Sequence, residues 1–253
     1  MGFMNTPAVS LQQVGFVYPG QSSMCIKNMN LEIGAGESFG LFGPNGAGKT
    51  TLMNLMTGLL TAVEGSIYLL GRPVKKHAKS FNRLFGFVPQ DFSFYEELSP
   101  VENLEFFGAW SGLKRAQLKN RIEELLDVLS LSDVHNKPVH KFSGGMKRRV
   151  NLAIGVIHHP EILFLDEPTV GVDVQTRHAI INYLKQLNQE GTTLIYTSHQ
   201  LSEAEGLCEE VALIDSGEII AQDSLTALLE EHSKDSLEGL FLELTGKEYR
   251  NDV

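Results

Sequence analysis

The chain has 253 residues, 42% of them hydrophobic, enough to bury one domain or a domain with a subdomain. A formal net charge of -10 argues against the basic face that nucleic-acid binding needs. Two scattered cysteines, Cys25 and Cys208, form neither a disulfide framework nor a zinc site and fit a reducing cytoplasm. No apolar run approaches the roughly 18 residues that span a bilayer, and no charged-then-apolar leader precedes the first strand. The opening MGFMNT matches the loose myristoylation pattern, yet no second anchor signal accompanies it. If the chain works at a membrane, another protein is expected to hold it there.

The first third alternates strand-like runs with turns. VSLQQVGFVY ends at Pro19-Gly20, and MNLEI leads into Gly34 to Gly36. SFGLF, Ser38 to Phe42, is a continuous apolar run of the kind a strand covered on both faces shows. It meets GPNGAGKT and then TLMNLMTGLL, where Leu52, Leu55, Met56 and Leu59 share one helical face. The middle is helical. Ser99-Pro100-Val101-Glu102 is a capping box with proline at the first helical position. Ile122, Leu125, Leu126 and Leu129 form an apolar stripe, and Met146, Val150, Ala153, Ile154 and Ile157 form another. Residues 91–159 are therefore read as an inserted helical lobe. The run Lys147, Arg148, Arg149 is expected to be a solvated helix face.

Beyond it the sheet pattern resumes. ILFLD and TLIYTS are buried strands flanking a helix over Thr176 to Leu187, the pattern of a parallel α/β sheet. VALI and EIIAQ, joined at Asp215-Ser216-Gly217, predict a closing hairpin. Leu237, Leu240, Phe241 and Leu244 predict an amphipathic docking helix in the tail.

Gly43 to Thr50 fits G-x-x-x-x-G-K-[ST] in its proper strand–loop–helix setting. Gly46 and Gly48 let successive N–H groups point at one anion, and the helix starting near Lys49 adds its positive end. Lys49 is expected to reach the β- and γ-phosphates, and Thr50 to bind magnesium. ILFLDE delivers Asp166 and Glu167 at a carboxyl strand end beside that loop. Asp166 suits a water-mediated hold on magnesium, and Glu167 suits polarisation of an attacking water. His199 follows the next strand on the same ligand face. Gln90 sits where the sheet hands over to the helical lobe, either as a magnesium ligand that senses the γ-phosphate or as a solvent-facing loop residue.

FSGGMKRR carries a second anion-seeking turn. Ser143 caps the next helix, and Gly144 and Gly145 expose N–H groups at its positive end. The chain's own phosphate is already claimed by Gly43 to Thr50. In a head-to-tail dimer each FSGG turn would close the γ-phosphate of the partner's ATP, so the motif reads as an interface. Phe92, Phe94 and Tyr95, just past Gln90, are read evenly as a groove for a short helix of a membrane subunit or as ordinary lobe core.

With these motifs in this order, the chain resembles the nucleotide-binding subunits of ABC transporters over almost all of its length. The resemblance implies a P-loop NTPase α/β fold with a RecA-like core, an N-terminal antiparallel β subdomain and an inserted α-helical subdomain. It divides the chain into 1–90 with 160–225 as the core, 91–159 as the signature lobe and 226–253 as a helical tail. Tyr18 takes the place of the adenine-stacking aromatic. Gly43, Pro44, Asn45, Gly46, Ala47, Gly48, Lys49, Thr50 and Thr51 form the phosphate loop. Gln90 matches the Q-loop, and with Thr50 and Asp166 it makes up the implied magnesium set. Glu167 is the general base and His199 the switch histidine. Ser143, Gly144, Gly145 and Met146 match the signature that meets the partner's nucleotide, and Asp173 the D-loop. Phe142 stands where leucine is usual, Met146 where glutamine is, and valines flank Asp173.

The implied protein is an ATPase that uses ATP and Mg²⁺. Its implied partners are a second copy or a related ATPase subunit, and separate membrane permease subunits, with no nucleic acid. It would sit peripherally on the cytoplasmic face of the membrane. The tail resembles the exporter branch; an importer subunit or a soluble ABC ATPase are the alternatives.

Overall fold

The structure is a computed structural model that describes residues 6–74, 83–198 and 200–246. His199, most of the opening MGFMNT and the end of the tail from residue 247 lie outside the described residues.

Two sheets organise the chain. The first strands are β1 (Val9–Phe16) and β2 (Ile26–Ile33), followed by the fully buried β3 (Ser38–Phe42). Next come α1 (Lys49–Met56), β4 (Glu64–Leu69), β5 (Arg72–Pro73) and β6 (Phe85–Val88). Helices α2 (Pro100–Trp110), α3 (Arg115–Val128) and α4 (Gly144–Val156) fill the middle. The chain returns through β7 (Ile162–Asp166), α5 (Val174–Gln189), β8 (Thr193–Thr197) and α6 (Leu201–Leu207). It closes with β9 (Glu210–Asp215), β10 (Glu218–Ser224), α7 (Leu225–Glu231) and α8 (Leu237–Thr245). One sheet is antiparallel with order β2-β1-β4-β5; the other runs β10-β9-β3-β8-β7-β6. In the second sheet every pairing is parallel except the β9–β10 hairpin. That hairpin turns on Ser216 and Gly217, both at positive φ, as a tight two-residue connection requires.

The apolar runs explain the layering. Successive side chains of β7 point to opposite faces, so Ile162 and Phe164 join one core and Leu163 and Leu165 the other. The first core lies against β1, β2 and α1, and the second against α2 to α5 and α8. The capping box at Ser99 forms: its Oγ accepts from Glu102 N–H and its own N–H donates to Glu102 Oε2 at 2.8 Å. The tail helix docks on this same chain, with Leu237, Leu240 and Phe241 at most 1% exposed. Helix α4 approaches β6 backbone to backbone. A Cβ on Gly86 would lie 2.0 Å from the Gly155 carbonyl oxygen, so only glycine permits that spacing.

The structure departs from the sequence reading at five points. Helix α1 ends at Met56, and Leu59 lies past it, 59% exposed, because the Thr57–Gly58 turn rotates the chain away. Helix α5 is longer than its apolar stripe, since Asp173 caps it three residues before Thr176. Strands β4 and β5 went unpredicted. The basic run is no solvated face. Lys147 pairs with Glu96 at 2.6 Å, Arg149 donates to the Leu129 carbonyl at 2.9 Å, and Arg148 is buried. The aromatic cluster splits: Phe94 packs against the core, whereas Phe92 and Tyr95 are exposed.

Candidate functional site

Strands β3, β8, β7 and β6 are parallel neighbours, so their carboxyl ends open on one edge of the sheet. That edge brings together the turn after β3, Ser198 after β8, Glu167 after β7 and Gln90 after β6. A cavity of about 590 Å³ lies there, within the usual range for ligand pockets. Its wall includes Tyr18, Asn45, Gly46, Gly48, Lys49, Thr50, Thr51, Gln90 and Glu167. Gly43 and Ala47 are buried in the same turn, and Pro44 is half-buried.

The turn is built for an anion. Gly46 and Gly48 take φ of 79° and 110°, a left-handed conformation that side chains resist. Gly48 caps α1 with no side-chain acceptor, and the first turn carries no acidic residue. The first N–H groups of α1 are therefore left for a ligand. Lys49 is only 5% exposed, and its Nζ donates to the carbonyls of Gly43 at 2.7 Å and Pro44 at 3.2 Å. Burial lowers the pKa of its ammonium, while Glu167 and Asp166 oppose the shift.

The carboxylates sit opposite. Asp166 is 1% exposed, and its Oδ1 accepts from Thr197 Oγ1 at 2.7 Å, across the register that pairs the two residues. Glu167 is buried at φ 53°, a left-handed backbone that costs a non-glycine residue about 1 kcal/mol. Desolvation first, then the neighbouring Asp166, raise its pKa to about 7, against the pull of Lys49 and Arg148. Among the described residues no three His, Cys, Asp or Glu side chains form a metal cage. Such a set fits magnesium, which takes one or two carboxylates and completes its shell with substrate phosphates and water. It does not suit zinc.

Tyr18 lines the cavity half-buried. Its hydroxyl shares a 2.9 Å hydrogen bond with Thr51 Oγ1, and Phe16 packs edge-on at 4.9 Å. Gln21 and Cys25 also line the cavity, with nothing in their sequence setting to single them out.

The structure does not bring every candidate here. Ser143 and Gly144 are exposed at the start of α4, outside this cavity. Ser143 Oγ accepts from Met146 N–H at 3.3 Å, which leaves its own O–H free to donate outward. Met146 packs its thioether against the core. Asp173 is the cap of α5, accepting from Thr176 N–H and Oγ1 at 2.9 and 2.8 Å, bonds that lower its pKa. A Cβ on Gly145 would meet Thr176 Oγ1 at 3.0 Å, so the signature turn and the Asp173 turn are packed side by side. The residues therefore fall into two separate groups on one chain, one lining the cavity and one at the start of α4.

A buried hub behind the cavity was not foreseen. Glu203 Oε2 accepts from Thr169 Oγ1 at 2.6 Å, Tyr196 OH at 2.5 Å and Ser198 Oγ at 3.1 Å, while Oε1 lies 3.1 Å from Arg177 Nε. It ties the loop after Glu167 to β8 and to the helix capped by Asp173. Burial, helped by Glu203, pushes the Tyr196 hydroxyl pKa well above its ordinary value.

Residues 26–170 match the family described as ABC transporter. A linearmycin resistance ATP-binding protein of Bacillus subtilis (strain 168) is 41% identical over 212 residues, spanning 84% of this chain and 68% of that protein. A Nod factor export ATP-binding protein I of Cupriavidus metallidurans is 41% identical over 197 residues, spanning 78% of this chain and 65% of that protein. The chain thus spans about two thirds of the length of these relatives. Among solved structures, an ATP-binding subunit of an ABC transporter superposes with TM-score 0.86 at 26% identity, covering 94% of this chain and 99% of that one. A dimeric ATP-binding cassette in a post-hydrolysis state, bound to ADP and Pi, gives 0.79 at 28% identity, covering 86% and 98%.

Proposed function

The chain belongs to the ABC transporter family, and on that premise we propose that it is the ATP-hydrolysing subunit of an exporter. One observation carries the two-copy form of this reading: the phosphate cradle and Glu167 share one cavity, while the signature turn lies outside it, with Ser143 and Gly144 exposed at the start of α4. Two copies arranged head to tail would sandwich two ATP molecules. Each nucleotide would lie between one copy's Gly43 to Thr51 and the other's Ser143 to Met146. The export assignment rests on the printed functions of the two relatives, resistance to linearmycin and export of Nod factor.

In this reading Tyr18 stacks on the adenine, and the N–H groups of Gly46 to Thr51 with Lys49 hold the β- and γ-phosphates. Magnesium, held at Thr50, Gln90 and Asp166 when bound, supplies charge neutralisation at the phosphates. A water attacks the γ-phosphorus in line, the bond to the ADP oxygen breaks, and Glu167 accepts the water's proton. A carboxyl group whose pKa lies near neutrality suits that exchange. His199, placed here by its position in the sequence, orients the water. Asp173 stays a helix cap that presents its turn to the neighbouring copy.

The division into a core over 1–90 and 160–225, a signature lobe over 91–159 and a tail over 226–253 belongs to the same proposal. The membrane partners would be separate permease subunits that hold the chain peripherally on the cytoplasmic face. Among the described residues no helix is long and apolar enough to cross a membrane. Phe92, Tyr95, Phe106 and Trp110 are exposed, Trp110 by 75%, and form the apolar face for such a partner. Asn103, fully buried, bonds both the N–H and the carbonyl of Tyr95 and so fixes the backbone of that residue.

Lys49→Ala tests the site itself. Removing the buried ammonium is expected to weaken ATP binding at least about tenfold and to abolish turnover. Phosphate release at the wild-type rate would refute the assignment of the cavity.

A further inference from the structure

Arg148 is a buried cation outside the cavity that nevertheless grips two of its wall residues. Nη1 donates to the Gln90 carbonyl at 2.6 Å and more weakly to the Pro89 carbonyl at 3.5 Å; Nη2 reaches the Val170 carbonyl at 3.5 Å. Gln90 and Val170 both line the cavity. The guanidinium carbon also lies 4.8 Å from the centre of the Phe92 ring, on the exposed aromatic face. One turn further along α4, Asn151 donates to the same Pro89 carbonyl at 3.1 Å. The helix capped by Ser143 therefore holds the Pro89–Gln90 turn at two points, and the glycine contact between β6 and α4 keeps them in reach.

The arrangement is costly for a merely structural residue. Arg148 is 5% exposed and its Nε is buried without a hydrogen-bond partner. A buried cation loses its hydration, and only well-placed hydrogen bonds offset that loss. What an apolar side chain could not do is fix three carbonyl oxygens from two separate loops with one rigid planar fork.

Resting on the ATPase reading above, we propose that Arg148 is a positioning residue that makes the Gln90 and Val170 wall, the signature turn at Ser143 and the aromatic face at Phe92 move as one body. Occupancy of the nucleotide cavity at Gln90 is then transmitted along α4 to Ser143 and outward to Phe92 without a further hinge. Arg148 is not among the residues lining the cavity, so its loss is expected to act on kcat rather than on ATP affinity.

The test compares Arg148→Met and Arg148→Lys in the purified chain. Binding is followed by fluorescence titration with trinitrophenyl-ATP and turnover by phosphate release. For Arg148→Met the expected result is one nucleotide per chain, an affinity within about threefold of wild type, and a kcat lower by about tenfold or more. Arg148→Lys keeps the charge but not the fork, and is expected to recover only part of that loss. An unchanged kcat in the methionine variant, or an affinity that falls by the same factor as kcat, would overturn the proposal. Where the methionine variant does not fold, the lysine variant decides by the same comparison. A wild-type chain that binds no ATP would instead defeat the ATPase reading and leave these contacts without a reaction to serve.

Discussion

Replacing Glu167 by glutamine is expected to lower turnover by about 10²- to 10⁴-fold, the usual contribution of a general base, while ATP still binds. The two side chains have nearly the same shape, so the buried site at the end of β7 is not disturbed. Glutamine simply cannot accept the proton. It also relieves the crowding with Asp166 that, after desolvation, pushes the Glu167 pKa up to about 7. Lys49, which Glu167 and Asp166 both attract, keeps Asp166 as its counter-charge. ATP binding displaces the monomer–dimer equilibrium by as much as the nucleotide prefers the closed pair. With hydrolysis blocked nothing empties that pair, so gel filtration in saturating ATP should show a dimer. A persistent monomer under those conditions would count against the sandwich.

Ser143→Arg should separate binding from chemistry. Ser143 is exposed and lies outside the cavity of its own chain, so ATP affinity should be unchanged. Its hydroxyl caps α4 through Met146 N–H, and loss of such a cap costs about 1 kcal/mol. That is too little to unfold a domain of this size. A long cation at this helix start would instead obstruct the turn that is to receive the partner's γ-phosphate. Turnover is expected to fall by about 10²-fold or more, comparable to the removal of a preorganised charge-stabilising group. Ser143→Ala, which removes only the cap and the outward O–H, should lose less. Full phosphate release by the arginine variant would reduce FSGG to a local helix start.

The parts of this molecule that could be read in the sequence are those where a single physical demand dominates a short stretch. SFGLF, ILFLD and TLIYT are continuously apolar because both faces of the strand are covered, and each became a strand of the parallel sheet. The Ser99 box and the glycine loop have side-chain rules of their own, and both formed. Strand β4 was missed because Glu64, Gly65 and Ser66 are exposed and only Ile67 and Leu69 alternate inward. Leu59 fitted the periodicity of α1 but stands beyond the turn that ends it.

The basic run shows a different gap. Charge in sequence says nothing of the carbonyls that receive it, and those of Gln90 and Leu129 lie 58 and 20 residues from their arginines. Glu203 was invisible for the same reason. Its donors come from Thr169, Tyr196 and Ser198, which only the folded sheet brings to one oxygen. Local pattern locates the phosphate cradle; the residues that hold its walls emerge only from the packing of α4 and α6 against it.

The sharing of one reaction centre between two copies is most directly tested by turnover per chain across a dilution series, with mass verified at each concentration. Specific activity should climb as the protein becomes more concentrated and vanish where every molecule is single. Equal activity per chain at all dilutions, including the verified monomer, would contradict it.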